Sequence, residues 1–145
     1  MPPSLSIIVP CLNEEKTIRI LLDAILVQTY SVSEMEVVIA DGLSEDNTRA
    51  EIAAFQDENP ALDVKVIDSP ERIIPAGLNL AINAARGEII VRLDAHSAPA
   101  PDYVERCVNA LNAELGDNVG GVWDIRPGAE GWVALSIAAA AAHPL

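Results

Sequence analysis

Residues 5–26, LSIIVPCLNEEKTIRILLDAIL, contain the change of period that decides the fold. Leu5 to Val9 form a nearly continuous apolar run ended by Pro10, the pattern of a strand covered on both faces. Ile18, Leu21, Leu22, Ile25 and Leu26 then recur at i, i+3, i+4, i+7 and i+8, one face of a helix lasting to about Thr29. The alternation continues outward. Glu36 to Ala40 (EVVIA) read as a second strand, followed by the polar stretch DGLSEDNT, with Ser44 as the N-cap of a helix to roughly Asn59. Val64, Val66 and Asp68 alternate with Lys65 and Ile67 as a third, less buried strand. Pro75 starts a helix with Leu78, Ala81, Ile82 and Ala85 on its apolar face and Gly87 as its stop. The strand Ile89 to Leu93 runs into Asp94-Ala95-His96. A helix from near Pro101 turns Val104, Cys107, Val108, Leu111 and Leu115 inward, a strand is expected at Val119 to Ile125, and an alanine-rich helix follows from Trp132.

Strands alternating with helices of this length mean βαβ units: an α/β fold with a mostly parallel sheet of at least four strands, helices on both faces and right-handed crossovers. A chain of 145 residues, 50% hydrophobic, fits one such domain. Cys11 and Cys107 lack the paired spacing of a zinc ribbon or disulfide scaffold, so a reducing compartment is the default. Nine Lys and Arg against 22 Asp and Glu give a formal net charge of −13, which repels a phosphate backbone and argues against nucleic-acid binding. The sequence shows neither a signal peptide nor a membrane span. From Trp132 the segment WVALSIAAAAA is apolar all round and needs cover. The expectation is therefore a fragment of a longer protein, whose membrane contact would lie in the missing C-terminal part and which self-associates through this helix.

In an open α/β sheet, ligands bind beyond the carboxyl ends of the strands. Asn13, Glu14 and Glu15 follow the first strand, Asp41 the second, and Asp94 with His96 the fourth. Each has a local reading as a cap, a turn or a strand end; together on one edge they favour function. Asp94 and His96, at i and i+2, point the same way on an extended chain and can grip one ion. A carboxylate with an imidazole suits Mn2+ better than Mg2+, which prefers oxygen ligands. An anionic ligand approaching so acidic a surface needs such a cation or an oriented backbone. Neither GxGxxG nor GxxxxGK occurs. Cys11 reads as a small buried hydrophobe, Trp123 and Trp132 as core, and Glu45, Asp46, Glu51 and Glu58 as a solvated face.

The segments SIIVPCLNEE, VVIADGLSEDNT and PAGLNLAINAARGEIIVRLDAHS, in order over about residues 4 to 127, resemble the N-terminal half of inverting family-two glycosyltransferases of the GT-A fold. They are most similar to bacterial exopolysaccharide enzymes of the succinoglycan-biosynthesis type. The resemblance implies that residues 1–145 are the nucleotide-sugar-binding part, with Pro10, Asn13 and Glu14 lining the nucleotide pocket and Asp41 bonding the uracil or ribose. Gly77 and Asn79 open the helix beside the nucleotide, and Arg86-Gly87 close it. Asp94 matches the first acid of an Asp-x-Asp motif, and His96 replaces the second, the metal ligand. The implied reaction passes a sugar from a nucleotide-diphospho-sugar, a UDP-sugar by expectation, to a polysaccharide or lipid-linked acceptor at the inner face of a bacterial membrane, with Mn2+ or Mg2+. The general base is expected beyond Leu145. The alternatives are a sugar-phosphate nucleotidyltransferase, whose glycine-rich loop with Arg or Lys is missing from PCLNEE, and a flavodoxin- or receiver-like binding module, which leaves Asp94-Ala95-His96 unexplained.

Overall fold

Four strands, Leu5–Cys11 (β1), Met35–Asp41 (β2), Asp63–Asp68 (β3) and Ile89–Arg92 (β4), form one all-parallel sheet in the order β3-β2-β1-β4. The structure is a computed structural model that describes residues 3–122, 125, 127 and 130–142. The continuous apolar runs of β1 and β2 occupy the middle of the sheet, where both faces are covered. Register brings Cys11, Asp41 and Asp68 level at the carboxyl edge, while Ile8 pairs with Arg92.

The helices are Ile18–Leu26 (α1), Thr48–Glu58 (α2), Ile74–Ala84 (α3), Tyr103–Asn112 (α4) and Trp132–Ala141 (α5). The crossovers through α1 and α2 step the same way along the sheet and so share a face, whereas α3 returns to the far side of β1 and lies on the other. Period-2 alternation then sorts the side chains. Leu5, Ile7, Val9, Val37 and Ile39 pack under α1, α2 and α4 with Leu21, Ile25, Phe55 and Val104. Ile8, Val38 and Ala40 meet Ala81 and Leu78 of α3. Beside this smaller core, Ser6 donates to the buried Glu36 at 2.6 Å, and Glu36 also accepts from the Arg86 backbone N–H and Nε.

Several local expectations are corrected. Helix α2 starts at Thr48 because the Ser44 hydroxyl is drawn to the buried Asp41 carboxylate, and Asp46 instead accepts from the Thr48 N–H at 3.0 Å. Asp46 is thus an anchor rather than part of a solvated face. Gly87 does not end α3, whose extended C-cap is Ala85. Its role is close approach: a Cβ there would lie 2.6 Å from the Leu5 carbonyl carbon and the Ser6 nitrogen. Leu115 falls past the end of α4 and is exposed, so the inward stripe stops earlier. Trp132 is 79% exposed, not core, since α5 buries Ala138 alone. The strand expected at 119–125 does not form over Val119 to Val122: Gly120 and Gly121 offer no side chain for packing, and Val122 is fully exposed. Trp123 and Asp124 lie outside the described residues.

Candidate functional site

The chain leaves β1 for β2 and β3, then returns to β4 on the other side of β1, so the strand order reverses between β1 and β4. Loops diverge at such a point and open a crevice at the carboxyl edge. A cleft of about 380 Å³ lies there. Pro10, Cys11, Leu12 and Glu14 line it from β1, and Ala40 and Gly42 from β2. Ser69, Arg72, Ile73, Ile74 and Gly77 come from the approach to α3 and its first turn, and Arg92, Asp94, Ala95 and His96 from β4 and its loop.

The loops after β1 and β2 are locked together. Asn13, in the left-handed region at φ 54°, donates its N–H to Ser44 Oγ at 2.8 Å and accepts from the Glu45 N–H through Oδ1 at 2.9 Å. The Glu14 N–H reaches Thr48 Oγ1 at 2.8 Å, and the Glu15 N–H reaches Asp46 at 3.2 Å. Leu43 also adopts a positive φ, 58°, which costs an L-residue about 1–2 kcal/mol and keeps this turn tight. Asn13 therefore shapes the rim through its backbone and amide.

The structure gathers Pro10, Glu14, Gly77, Asp94 and His96 around the cleft. Asp41 is not among the lining residues. Its carboxylate is fully buried, accepting from Ser44 N–H and Oγ and from Arg49 Nε, and its neighbours Ala40 and Gly42 face the cleft instead. Asn79 is exposed on α3, away from the lining residues. Arg86 is taken up by Glu36 and Asp63.

Beyond β4, Asp94 accepts from Arg92 at 3.2 Å from Nε and 2.9 Å from a terminal nitrogen. The Asp94 carbonyl accepts from the Ser97 N–H and hydroxyl, a turn that carries His96 back over the cleft. There its Nδ1 lies 3.2 Å from Glu14 Oε1. Among the described residues no group of three or more His, Cys, Asp or Glu side chains encloses a metal position. Asp94 and His96 offer one oxygen and one nitrogen donor, a partial set that fits a divalent cation only with ligand oxygens completing the shell. Burial first, then the carboxylates of Asp41, Glu14 and Asp46, push the Cys11 thiol up to about 12, which removes it as a nucleophile.

Sequence reasoning missed Arg72 and Arg92, two cations on the cleft wall of a strongly acidic chain. The available signal was position: Arg92 alternates with the inward Val91 and Leu93 at the end of β4, and Arg72 precedes α3.

Comparison with known proteins gives the family and the fold. The glycosyl transferase family 2 profile matches residues 6–140. The chain belongs to that family. It is 36% identical to the succinoglycan biosynthesis protein ExoA of Rhizobium meliloti over 115 residues, 78% of this chain and 34% of that protein. The mannosyltransferase PcManGT from Pyrobaculum calidifontis, solved with GDP-Man and Mn2+, superposes with a TM-score of 0.71 at 34% identity over 77% of this chain and 33% of its own. TarS 1-349 of S. aureus, in complex with UDP, shares the fold with a TM-score of 0.68 at 23% identity over 89% of this chain and 40% of its own. The chain thus spans about a third of the length of ExoA and of two archaeal glycosyltransferases that it also matches, and less of longer relatives. The GT-A-like sheet and family membership support neither the nucleotidyltransferase nor the receiver-like alternative.

Proposed function

We propose that residues 1–145 form the donor-binding part of an inverting glycosyltransferase that takes a sugar from a nucleotide-diphospho-sugar. The observation that carries this reading is the convergence of Asp94 and His96 with Arg72, Arg92 and Glu14 on one cleft at the reversal of strand order. Asp94 and His96 would hold a divalent cation, Mn2+ by preference, with phosphate oxygens as its remaining ligands. Once bound, that cation offsets the charge that develops on the departing nucleoside diphosphate. Arg72, paired with Glu45, and Arg92, paired with Asp94, place their guanidinium groups on the same wall. Gly77 keeps the first turn of α3 open beside Ala40 and Ser69. In this reading Asp41 and Asn13 serve the nucleoside through the loops they fasten.

The relative lengths support a wider proposal. The acceptor wall and the general base belong to residues beyond Leu145, the acceptor is a polysaccharide or lipid-linked glycan, and the work is done at the inner face of a bacterial membrane. No helix among the described residues is long and apolar enough to cross a membrane. Self-association through α5, where Trp132, Leu135 and Ile137 are exposed, completes the proposal; sedimentation velocity over a concentration series reads it.

Calorimetry with UDP and with GDP, each with and without Mn2+, tests the reading. Binding that needs the cation and falls in Asp94→Ala and His96→Ala is expected. Equal affinity with and without Mn2+, unchanged in both variants, would overturn it.

A further inference from the structure

Among the described residues, the Glu14 side chain carries the hydrogen bond that joins the loop after β1 to the loop after β4. The residue's backbone N–H is held by Thr48 Oγ1 at 2.8 Å, and its Oε2 accepts from Thr17 Oγ1 at 2.5 Å. The carboxylate is therefore held by Thr17 at the start of α1 and the backbone by Thr48 of α2, with about a quarter of the side-chain surface exposed. The remaining oxygen, Oε1, meets His96 Nδ1 at 3.2 Å. His96 itself is 66% exposed at the side chain, and this contact is its hydrogen bond to the protein.

An imidazole has two nitrogens, and the partner of one decides what the other offers. A carboxylate accepts and does not donate, so beside Oε1 the proton belongs on Nδ1. That leaves the Nε2 lone pair free. A histidine that ligates a metal through one nitrogen characteristically donates the other N–H to a carboxylate or carbonyl, which fixes both tautomer and ring orientation. We infer that Glu14 is a positioning residue for His96: it holds the ring by Nδ1 so that Nε2 is presented to the cation in the cleft. The inference rests on the reading of His96 as a cation ligand and deepens it.

The chain holds two histidines, so a His143→Gln background leaves one ring to observe. Long-range 1H–15N correlation spectra of the metal-free protein, recorded where His96 is neutral, distinguish an Nδ1–H ring from the Nε2–H ring that a free imidazole favours. We expect Nδ1–H in this protein, Nε2–H in Glu14→Ala, and Nδ1–H again in Glu14→Gln when its amide oxygen faces His96 and its NH2 donates to Thr17 Oγ1. Mn2+ binding in the presence of GDP or UDP, followed by electron paramagnetic resonance, is expected to weaken about tenfold or more in Glu14→Ala and to be largely restored in Glu14→Gln. Loss of a merely structural contact would move neither the tautomer nor its rescue. An Nε2–H ring in the parent, or a tautomer and Mn2+ affinity unchanged in Glu14→Ala, overturns the positioning role while leaving the cation reading intact. A His96→Ala that binds Mn2+ as well as the parent overturns the cation reading itself, whatever the tautomer.

Discussion

The Arg49 guanidinium donates through Nε to the buried Asp41 carboxylate at 2.6 Å and through a terminal nitrogen to Asp68 at 2.6 Å, joining the ends of β2 and β3. Asp41 has no exposed surface, so its charge depends on this partner and on Ser44. Arg49→Met is expected to cost about 2–3 kcal/mol, because removing one member of a buried pair strands the other. Urea unfolding measures it, and the double variant with Asp41→Asn should recover part of the loss. An unchanged midpoint in Arg49→Met would mean that Ser44 alone satisfies Asp41.

Glu36 gives the pH dependence a sign. Burial pushes its carboxyl up, but the Ser6 hydroxyl, the Arg86 N–H and the Arg86 guanidinium together hold it below the ordinary 4.5. The unfolded chain therefore takes up the proton first, so this stabilisation is complete above about pH 4.5 and is lost as pH falls toward the lower folded value. Asp46, lowered by its bonds from Thr48 and the Glu15 N–H despite an opposing desolvation, acts in the same direction. Denaturation midpoints measured across the acid range should fall less steeply in Glu36→Gln than in the parent; parallel curves would count against the assignment.

Gly87→Ala places a methyl against the β1 backbone, where no side chain can swing aside. A cost of about 3 kcal/mol is expected, together with weaker cation-dependent nucleotide binding, because β4 carries Asp94 and His96 to the cleft. Gly120→Ala, which meets nothing within 4 Å, is the matched control and should be neutral in both assays.

Gly77→Leu separates binding from folding. Gly77 is buried at the cleft, where a Cβ would lie 3.3 Å from Ser69 Oγ and 3.5 Å from Ala40 Cβ, so a leucine crowds the wall that Ser69 and Ala40 form. Loss of nucleotide binding with a native circular dichroism spectrum is the expected result. Retained binding would place the ligand elsewhere.

The fold was legible because period and position coincide: LSIIV and EVVIA are strands buried on both faces, and Ile18, Leu21, Leu22 and Ile25 mark α1 without ambiguity. The site was legible where function depends on chain position, as with Asp94 and His96 after β4. It was not legible where a side chain had to choose between ligand and protein. Asp41 turns from the cleft because Arg49, eight residues on and second in the next helix, offers a stronger partner. Ser44 serves that same carboxylate instead of capping α2. Arg72 and Arg92 entered the sequence reading only as part of a sum of charges, since nothing local says which arginine will border a cavity. Over Val119 to Val122 the expected strand did not form, for want of side chains at Gly120 and Gly121.

The pairing of β1 with β4 sets Leu5 against Ile89, contacts that the chain must close across most of its length. Loop closure over such a separation is paid before the contact returns anything, which makes β4 docking a late event in folding. Residues 5–68 supply three strands that pair with their neighbours in sequence, while Arg92, Asp94 and His96 arrive only with the fourth. Partially folded chains with a formed β1-β2-β3 sheet would consequently have one wall of the cleft and no grip on a nucleotide. In a refolding experiment the recovery of ligand affinity should then share the rate of the slowest structural phase, so that affinity reports completion of the sheet rather than its beginning.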